Sequence, residues 1–160
     1  MTRRVLVING PNLNMLGVRE PHIYGTTSLK TVEASCREAA PHYGVAVELR
    51  QSNDEGEIVG WIQEARETFD ALIINPAALS FRSVALIDAV RIFEKPTIEL
   101  HISNIHARDP AHRHSVISQA AKAVICGLGP YGYIVALQAA AQMLGAIPAT
   151  LPEPLRHGPV

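Results

Sequence analysis

The sequence predicts an α/β fold in which helices cover both faces of a five-stranded parallel sheet. Short apolar runs typical of buried strands alternate along the chain with longer segments in which apolar residues recur at helical spacing. The chain has 160 residues, of which 48% are hydrophobic, so it can build one domain with an extensive core. No repeat, linker or low-complexity segment divides the sequence.

Five short runs are predicted as strands, and the first is an apolar run of the kind expected for a strand buried on both faces. They are residues 5–8, 45–49, 71–74, 97–102 and 123–126. Five segments with helical apolar spacing are predicted as helices. They are residues 29–40, 58–65, 84–93, 115–121 and 131–144. Gly44 ends the first helix, Asp54 and Glu57 resemble a capping box before the second, and Lys95-Pro96 ends the third.

At this length the flavodoxin-like strand order 2-1-3-4-5 is expected. We expect a single domain over residues 1–146 and a Pro-rich C-terminal tail over residues 147–160. In such sheets ligands bind beyond the carboxyl ends of the strands, near the switch point between strands one and three. The loops after strands one, three and four are therefore expected to form the functional site.

Composition and charge exclude several classes of protein. The formal net charge of −1 provides no basic field for nucleic acid. The longest apolar stretch, residues 134–147, is interrupted by Gln138, Gln142 and Gly145, which favours a buried helix over a membrane span. The N-terminus reaches Asn9-Gly10 after only four apolar residues, too few for a signal peptide. We therefore expect a cytoplasmic protein with no nucleic-acid or membrane partner.

Polar side chains are concentrated in the three loops that should meet at one crevice. They are Asn9, Asn12, Asn14, Arg19, Glu20, His22 and Tyr24 after strand one, Asn75 after strand three, and Glu99, His101, Ser103, Asn104, His106 and Arg108 along or after strand four.

Glu99 and His101 lie two residues apart on one predicted strand, so their side chains project from the same face. A carboxylate beside an imidazole fixes the tautomer of the ring and raises its basicity, which suits a general acid or base. The alternative is a structural histidine in a hydrogen-bonded strand end.

Arg19 and Tyr24 share the loop after strand one. A phenol is a weak base at its usual pKa of about 10, and a neighbouring guanidinium favours the phenolate form. This pair is a candidate base. The alternative is a loop tyrosine that merely packs on an arginine, and spacing alone favours it.

Two other patterns lack the context that their chemistry requires. The histidines at positions 101, 106, 112 and 114 have neither an HExxH motif nor a close pair on a helix with a third ligand, so we expect no metal. Residues 127–132 read GxGxxG, but no strand follows to supply an acidic residue for a ribose. We interpret this motif as a tight turn with close packing between helix and strand.

Three long motifs resemble the type II 3-dehydroquinate dehydratases. They are INGPNLN at residues 8–14, LGVREPHIYG at residues 16–25 and ELHISNIHAR at residues 99–108. Asn75-Pro76, the SVAL segment at residues 83–86 with Asp88, and the turn at residues 127–129 extend the resemblance to about residue 144. The resemblance implies a flavodoxin-like lyase that converts 3-dehydroquinate to 3-dehydroshikimate without a cofactor or metal, as a homododecamer built from trimers.

The resemblance also implies the catalytic roles. Tyr24 would take a proton from the carbon beside the ketone, and Arg19 would hold it as phenolate. Asn12 would help to stabilise the enolate. His101, oriented by Glu99, would protonate the departing hydroxyl. These roles match the residues, because such an elimination requires a base, an enolate stabiliser and an acid for the leaving group.

For the substrate side, the resemblance implies that Asn75, Ile102 and Ser103 bind the small-molecule substrate, chiefly around its carboxylate. Asp88 would reach into the site of a neighbouring subunit.

Two positions on the substrate side depart from the family pattern. Phe81 stands where the family has a histidine, and His112 where it has an arginine, with Arg113 next to it. Two alternatives therefore stay open at this point: a paralogous lyase for a related hydroxylated cyclic keto acid, and a non-catalytic flavodoxin-like module. The second is disfavoured by the joint presence of Asn12, Arg19, Tyr24, Glu99 and His101.

Overall fold

The computed structural model describes residues 1–147 and contains the predicted five-stranded, all-parallel sheet in the order β2-β1-β3-β4-β5. The strands are β1 (Arg3–Asn9), β2 (Val45–Gln51), β3 (Ala71–Asn75), β4 (Thr97–His101) and β5 (Ala123–Cys126). This confirms the predicted strand order. Apart from residue 147, the predicted C-terminal tail lies outside the described residues.

The helices are α1 (Pro21–Tyr24), α2 (Leu29–Ala39), α3 (Glu55–Thr68), α4 (Val84–Phe93) and α5 (Gly132–Met143). Helices α2 and α5 cover one face of the sheet, and α3 and α4 cover the other. The inner strand β1 shows the division, because Val5 and Val7 pack with the first pair of helices while Leu6 and Ile8 pack with the second. All four side chains are essentially buried, so β1 anchors both core layers.

The predicted helix over residues 115–121 was wrong. That stretch contains only a 3-10 turn at Ile117–Gln119. Serine side chains explain the difference: Ser115 and Ser118 donate hydrogen bonds to the buried carboxylate of Glu99. The Ser115 hydroxyl also accepts a hydrogen bond from the Ile117 N–H, 3.3 Å away. Such local bonds offer the backbone an alternative to helix. The stretch after β1 was predicted as a polar loop without a helix, but it contains the short helix α1.

The glycine motif before α5 is a close-packing device. A Cβ on Gly132 would lie 2.9 Å from Leu100 Cδ1 on β4, and Gly127 has a φ of +89°. The missing side chains let the start of α5 lie directly against the sheet. Among residues 1–147, none of the helices has the length and apolarity needed to cross a bilayer.

Gly10 joins the ends of the two central strands. Its N–H donates to the Asn75 carbonyl at 2.8 Å, and a Cβ there would lie 2.5 Å from the Pro76 carbonyl oxygen. We expect Gly10→Ala to lower the free energy of unfolding by about 1–3 kcal/mol, because the backbone must move to admit the methyl group. Urea denaturation at a fixed protein concentration measures the change.

Gly60→Ala is the matched control for this substitution. Gly60 lies within α3, and a Cβ there would meet nothing within 4 Å. The same change should therefore stabilise the protein by roughly 0.5–1 kcal/mol through helix propensity. A Gly10→Ala protein as stable as the parent would contradict the close approach of the two strands.

Candidate active site

A cavity opens at the carboxyl ends of β1, β3 and β4, where the sequence predicted the functional site. It encloses about 660 Å³ including its open mouth. Nine predicted site residues line it: Asn12, Arg19, Tyr24, Asn75, Phe81, His101, Ile102, Ser103 and His112. Two others do not: Glu99 lies behind His101, and Asp88 projects from α4 with its side chain 65% exposed.

Tyr24 is the last residue of α1, and its phenol is in contact with two guanidinium groups. Arg108 Nη1 donates a hydrogen bond of 2.7 Å to the Tyr24 hydroxyl oxygen. Arg19 approaches the ring instead, with its Cζ 5.5 Å from the centroid, and pairs with Glu20 at 3.1 Å. Both cations therefore lie beside the phenol, Arg108 at its hydroxyl and Arg19 over its ring. The group that contacts the hydroxyl is therefore Arg108, which spacing had not paired with Tyr24.

From the sequence, Arg108 could be placed near the site but could not be paired with Tyr24. It closes the third family-like motif and lies in a predicted crevice loop. However, it is 84 residues from Tyr24, and no local periodicity links the two. Only the folded arrangement of the loops after β1 and β4 brings them together.

Glu99 and His101 form the second polar group, and they project from the face of β4 opposite to Leu100. His101 Nε2 lies 3.1 Å from Glu99 Oε1, within ion-pair distance but without the geometry of a regular hydrogen bond. Glu99 is fully buried, and Ser115 and Ser118 donate to its two oxygens. Burial raises the pKa of Glu99, but His101 and the two serines outweigh it and hold the pKa below its usual value. The carboxylate is therefore ionised beneath the imidazole.

Two residues lining the cavity adopt the left-handed backbone conformation, which is unusual without glycine. Asn12 has a φ of 69°, and its N–H donates to Asn53 Oδ1 at 2.9 Å. Ala77 has a φ of 51°, and its N–H donates to Asn75 Oδ1 at 3.3 Å. Strained positions of this kind concentrate at functional sites.

The two departures from the family pattern contact each other. The rings of Phe81 and His112 meet edge to face, with centroids 5.6 Å apart. His112 Nδ1 lies 2.9 Å from both carboxylate oxygens of Asp109, and this contact lowers the pKa of Asp109. Arg113 does not line the cavity and donates to the Arg108 carbonyl instead. The wall formed by Phe81 and His112 is therefore more apolar than a histidine–arginine pair.

Within residues 1–147, no group of three or more His, Cys, Asp or Glu side chains is arranged to hold a metal ion. A phenol beside two guanidinium groups and an imidazole backed by a carboxylate are suited to transferring protons at a small organic substrate.

Comparison with known proteins gives one consistent family. The model of the class II dehydroquinase family matches residues 3–141. 3-Dehydroquinate dehydratase 1 of Agrobacterium fabrum is 53% identical over 139 residues, covering 87% of this chain and 96% of the relative. The 3-dehydroquinate dehydratase of Brucella canis is 51% identical over 141 residues, covering 88% and 90%.

A solved structure agrees with the sequence relatives. The type II dehydroquinase from Propionibacterium acnes superposes with a TM-score of 0.85 at 44% identity, covering 89% of this chain and 98% of the other. The matches in sequence and in three dimensions span almost all of the described residues. The chain therefore belongs to the class II dehydroquinase family.

Proposed function

We propose that this protein is a hydro-lyase that dehydrates 3-dehydroquinate to 3-dehydroshikimate. One observation supports this activity above the others. A phenol held by Arg108 and Arg19 and an imidazole backed by a buried carboxylate line the same cavity. Elimination of water beside a ketone needs a base and an acid at one small-molecule site. The relatives that carry the name 3-dehydroquinate dehydratase support the same substrate.

In the proposed reaction, Tyr24 acts as the base in its phenolate form. The phenolate oxygen takes a proton from the carbon next to the ketone, and the electron pair of the broken C–H bond forms an enolate. Arg108 and Arg19 stabilise the anionic phenol before the transfer, because both cations lie close to it. Asn12 helps to stabilise the oxygen of the enolate.

His101 then assists departure of the hydroxyl group. As the enolate collapses and the C–O bond breaks, the protonated imidazole delivers its proton and the leaving group departs as water. Glu99 remains ionised because its hydrogen bonds outweigh the cost of burial, so it stabilises the imidazolium and holds the ring in place. No external redox agent or cofactor takes part in this proton balance.

On the substrate side, we assign Asn75, Ile102 and Ser103 to binding the carboxylate region of the substrate. All three line the cavity. Phe81 and His112 occupy the wall that faces the ring hydroxyls in this proposal. The elimination groups are thus of the family type, while one edge of the substrate site differs.

Tyr24→Phe tests the base. The variant keeps the ring and loses the only group proposed to take the proton, so kcat for 3-dehydroquinate should fall by at least roughly 100-fold. The appearance of enone absorbance provides the assay. Tyr131→Phe is the matched control, since Tyr131 is 64% exposed and does not line the cavity. Near-parental turnover by Tyr24→Phe would remove Tyr24 from the mechanism.

Phe81→His combined with His112→Arg tests the altered edge. Phe81 offers no conventional hydrogen bond to a hydroxyl, and an unpaired buried polar group is costly. We expect the double variant to raise kcat/KM for 3-dehydroquinate by about tenfold or more, roughly 1.4 kcal/mol.

His114→Arg is the control for this double variant. It adds a cation to the same loop at an exposed position outside the cavity, and it should leave kcat/KM unchanged. If the parent is already efficient and the double variant gains nothing, the family pattern at these two positions is not required for this substrate.

We also propose that the protein is a cytoplasmic homo-oligomer, a dodecamer built from trimers, in which Asp88 completes a neighbouring site. Asp88 is exposed on α4 and does not line the cavity of its own chain. The same helix exposes the apolar side chains of Val84 and Ile92. Exposed apolar residues on one helix are compatible with a contact between subunits.

Light scattering and Asp88→Ala test this assembly. The parent should have a mass that is a multiple of three chains. Asp88→Ala should keep that mass and lose turnover, because the site of the neighbouring subunit loses a carboxylate. A monomeric parent that turns over substrate would contradict the proposed sharing of sites.

A further inference from the structure

A buried tyrosine links two asparagines beneath the cavity. Tyr133, the second residue of α5, is 1% exposed, and its ring belongs to the core layer of α2 and α5. Its hydroxyl donates to Asn9 Oδ1 at 2.6 Å and accepts from Asn75 Nδ2 at 3.0 Å. Asn9 and Asn75 are the last residues of β1 and β3, so the hydroxyl joins the two strand ends at the switch point of the sheet.

The hydrogen bonds of this group fix which way the Asn75 amide faces. The single proton of the Tyr133 hydroxyl is committed to Asn9 Oδ1, so Asn75 must present its amino group to the hydroxyl oxygen. On its other side, Asn75 Oδ1 accepts from the Ala77 N–H. Reversing the amide would place a carbonyl oxygen against an acceptor and an amino group against a donor. Both bonds would be lost together.

We propose that Tyr133 is a positioning residue for substrate binding, which holds the Asn75 carboxamide so that its second amino hydrogen is offered to an acceptor oxygen of the substrate. This inference rests on the proposed function, because it gives Asn75 its role in the cavity. An Asn75 side chain has two N–H donors, and Tyr133 uses one of them. Asn75 lines the cavity although it is only 3% exposed, so the remaining donor is the group that the substrate can use.

The glycine motif at residues 127–132 determines where Tyr133 lies. Because Gly132 has no side chain, α5 begins against Leu100, and the next residue, Tyr133, lies directly beneath the cavity. Burial also raises the pKa of Tyr133 above its usual value, so the hydroxyl keeps its proton at neutral pH. The positioning is therefore expected to be independent of pH.

Tyr133→Phe removes the hydroxyl and keeps the ring. The substrate should bind less well while proton transfer is preserved, so KM for 3-dehydroquinate should rise about tenfold and kcat should change by less than about twofold. The ratio between parent and variant should stay constant between about pH 6 and pH 9, since the hydroxyl does not titrate there. A variant that is merely less stable would lose kcat through a smaller folded fraction and keep its KM.

A double-mutant cycle with Asn75→Ala identifies the route of the effect. If Tyr133 acts through Asn75, adding Tyr133→Phe to Asn75→Ala should change kcat/KM by less than about twofold. Tyr43→Phe is the matched control, because Tyr43 packs against the same core layer and does not line the cavity. An unchanged KM in Tyr133→Phe, or effects that simply multiply, would overturn the proposal.

A measurement without substrate separates this inference from the proposed function. In protein labelled with ¹⁵N-asparagine, the Asn75 side-chain amide signals, identified by their loss in Asn75→Ala, should exchange with solvent at least about tenfold faster in Tyr133→Phe than in the parent or Tyr43→Phe. If the parent does not turn over 3-dehydroquinate, the proposed function fails and this exchange still decides whether Tyr133 holds Asn75. Unchanged exchange would overturn the positioning role.

Discussion

The structure around the site depends on one buried charge. Glu99 lies on an inner strand with no exposed surface, and an uncompensated carboxylate in such a place is strongly unfavourable. Three side chains compensate it: His101 from the same strand, and Ser115 and Ser118 from the crossover that follows. The segment that carries the two serines has only a 3-10 turn, whereas a helix usually connects parallel strands. The irregular crossover and the orientation of the imidazole are thus consequences of the same carboxylate.

The cavity has two sides: Tyr24 and His101 on one side match the family pattern, and Phe81 and His112 on the other depart from it. On the side with Tyr24 and His101, Arg108 contacts the Tyr24 hydroxyl and Glu99 lies beside the His101 ring. The side with Phe81 and His112 presents one ring to the edge of another. Because the two sides are built from different contacts, a change in the substrate edge leaves the contacts of the proton-transfer groups in place.

Much of the fold was predictable, because the strands that dominate it carry their own signal. Four short, largely apolar runs and one run of alternating polar and apolar residues marked the strands, and the chain length with strand and helix alternation was enough to predict their order. The stretch after Arg113 was not predictable in the same way, since its apolar spacing indicated a helix while its serines bond to Glu99. Local pattern cannot show a partner that lies on another strand.

The residues of the site were predictable to the same extent, where their partners lie close by in the sequence. Glu99 and His101 could be paired from their spacing, because alternate residues of a strand share a face. The contact between Arg108 and Tyr24, and the bridge that Tyr133 makes between Asn9 and Asn75, join residues far apart in the chain. Such pairs depend on how loops and helix ends meet in three dimensions, and a single sequence carries no record of that.

The crossover between β4 and β5 also limits how this protein can diversify. Within a dozen residues it supplies Arg108, which contacts the Tyr24 hydroxyl, and His112, which forms part of the cavity wall. The same segment carries Ser115 and Ser118, which donate hydrogen bonds to Glu99. An insertion or shift of register there would displace groups that serve base, acid and specificity at once. Insertions and deletions in this segment should therefore be poorly tolerated. New substrate preferences are more accessible through single side-chain replacements, such as those at positions 81 and 112, than through changes of loop length.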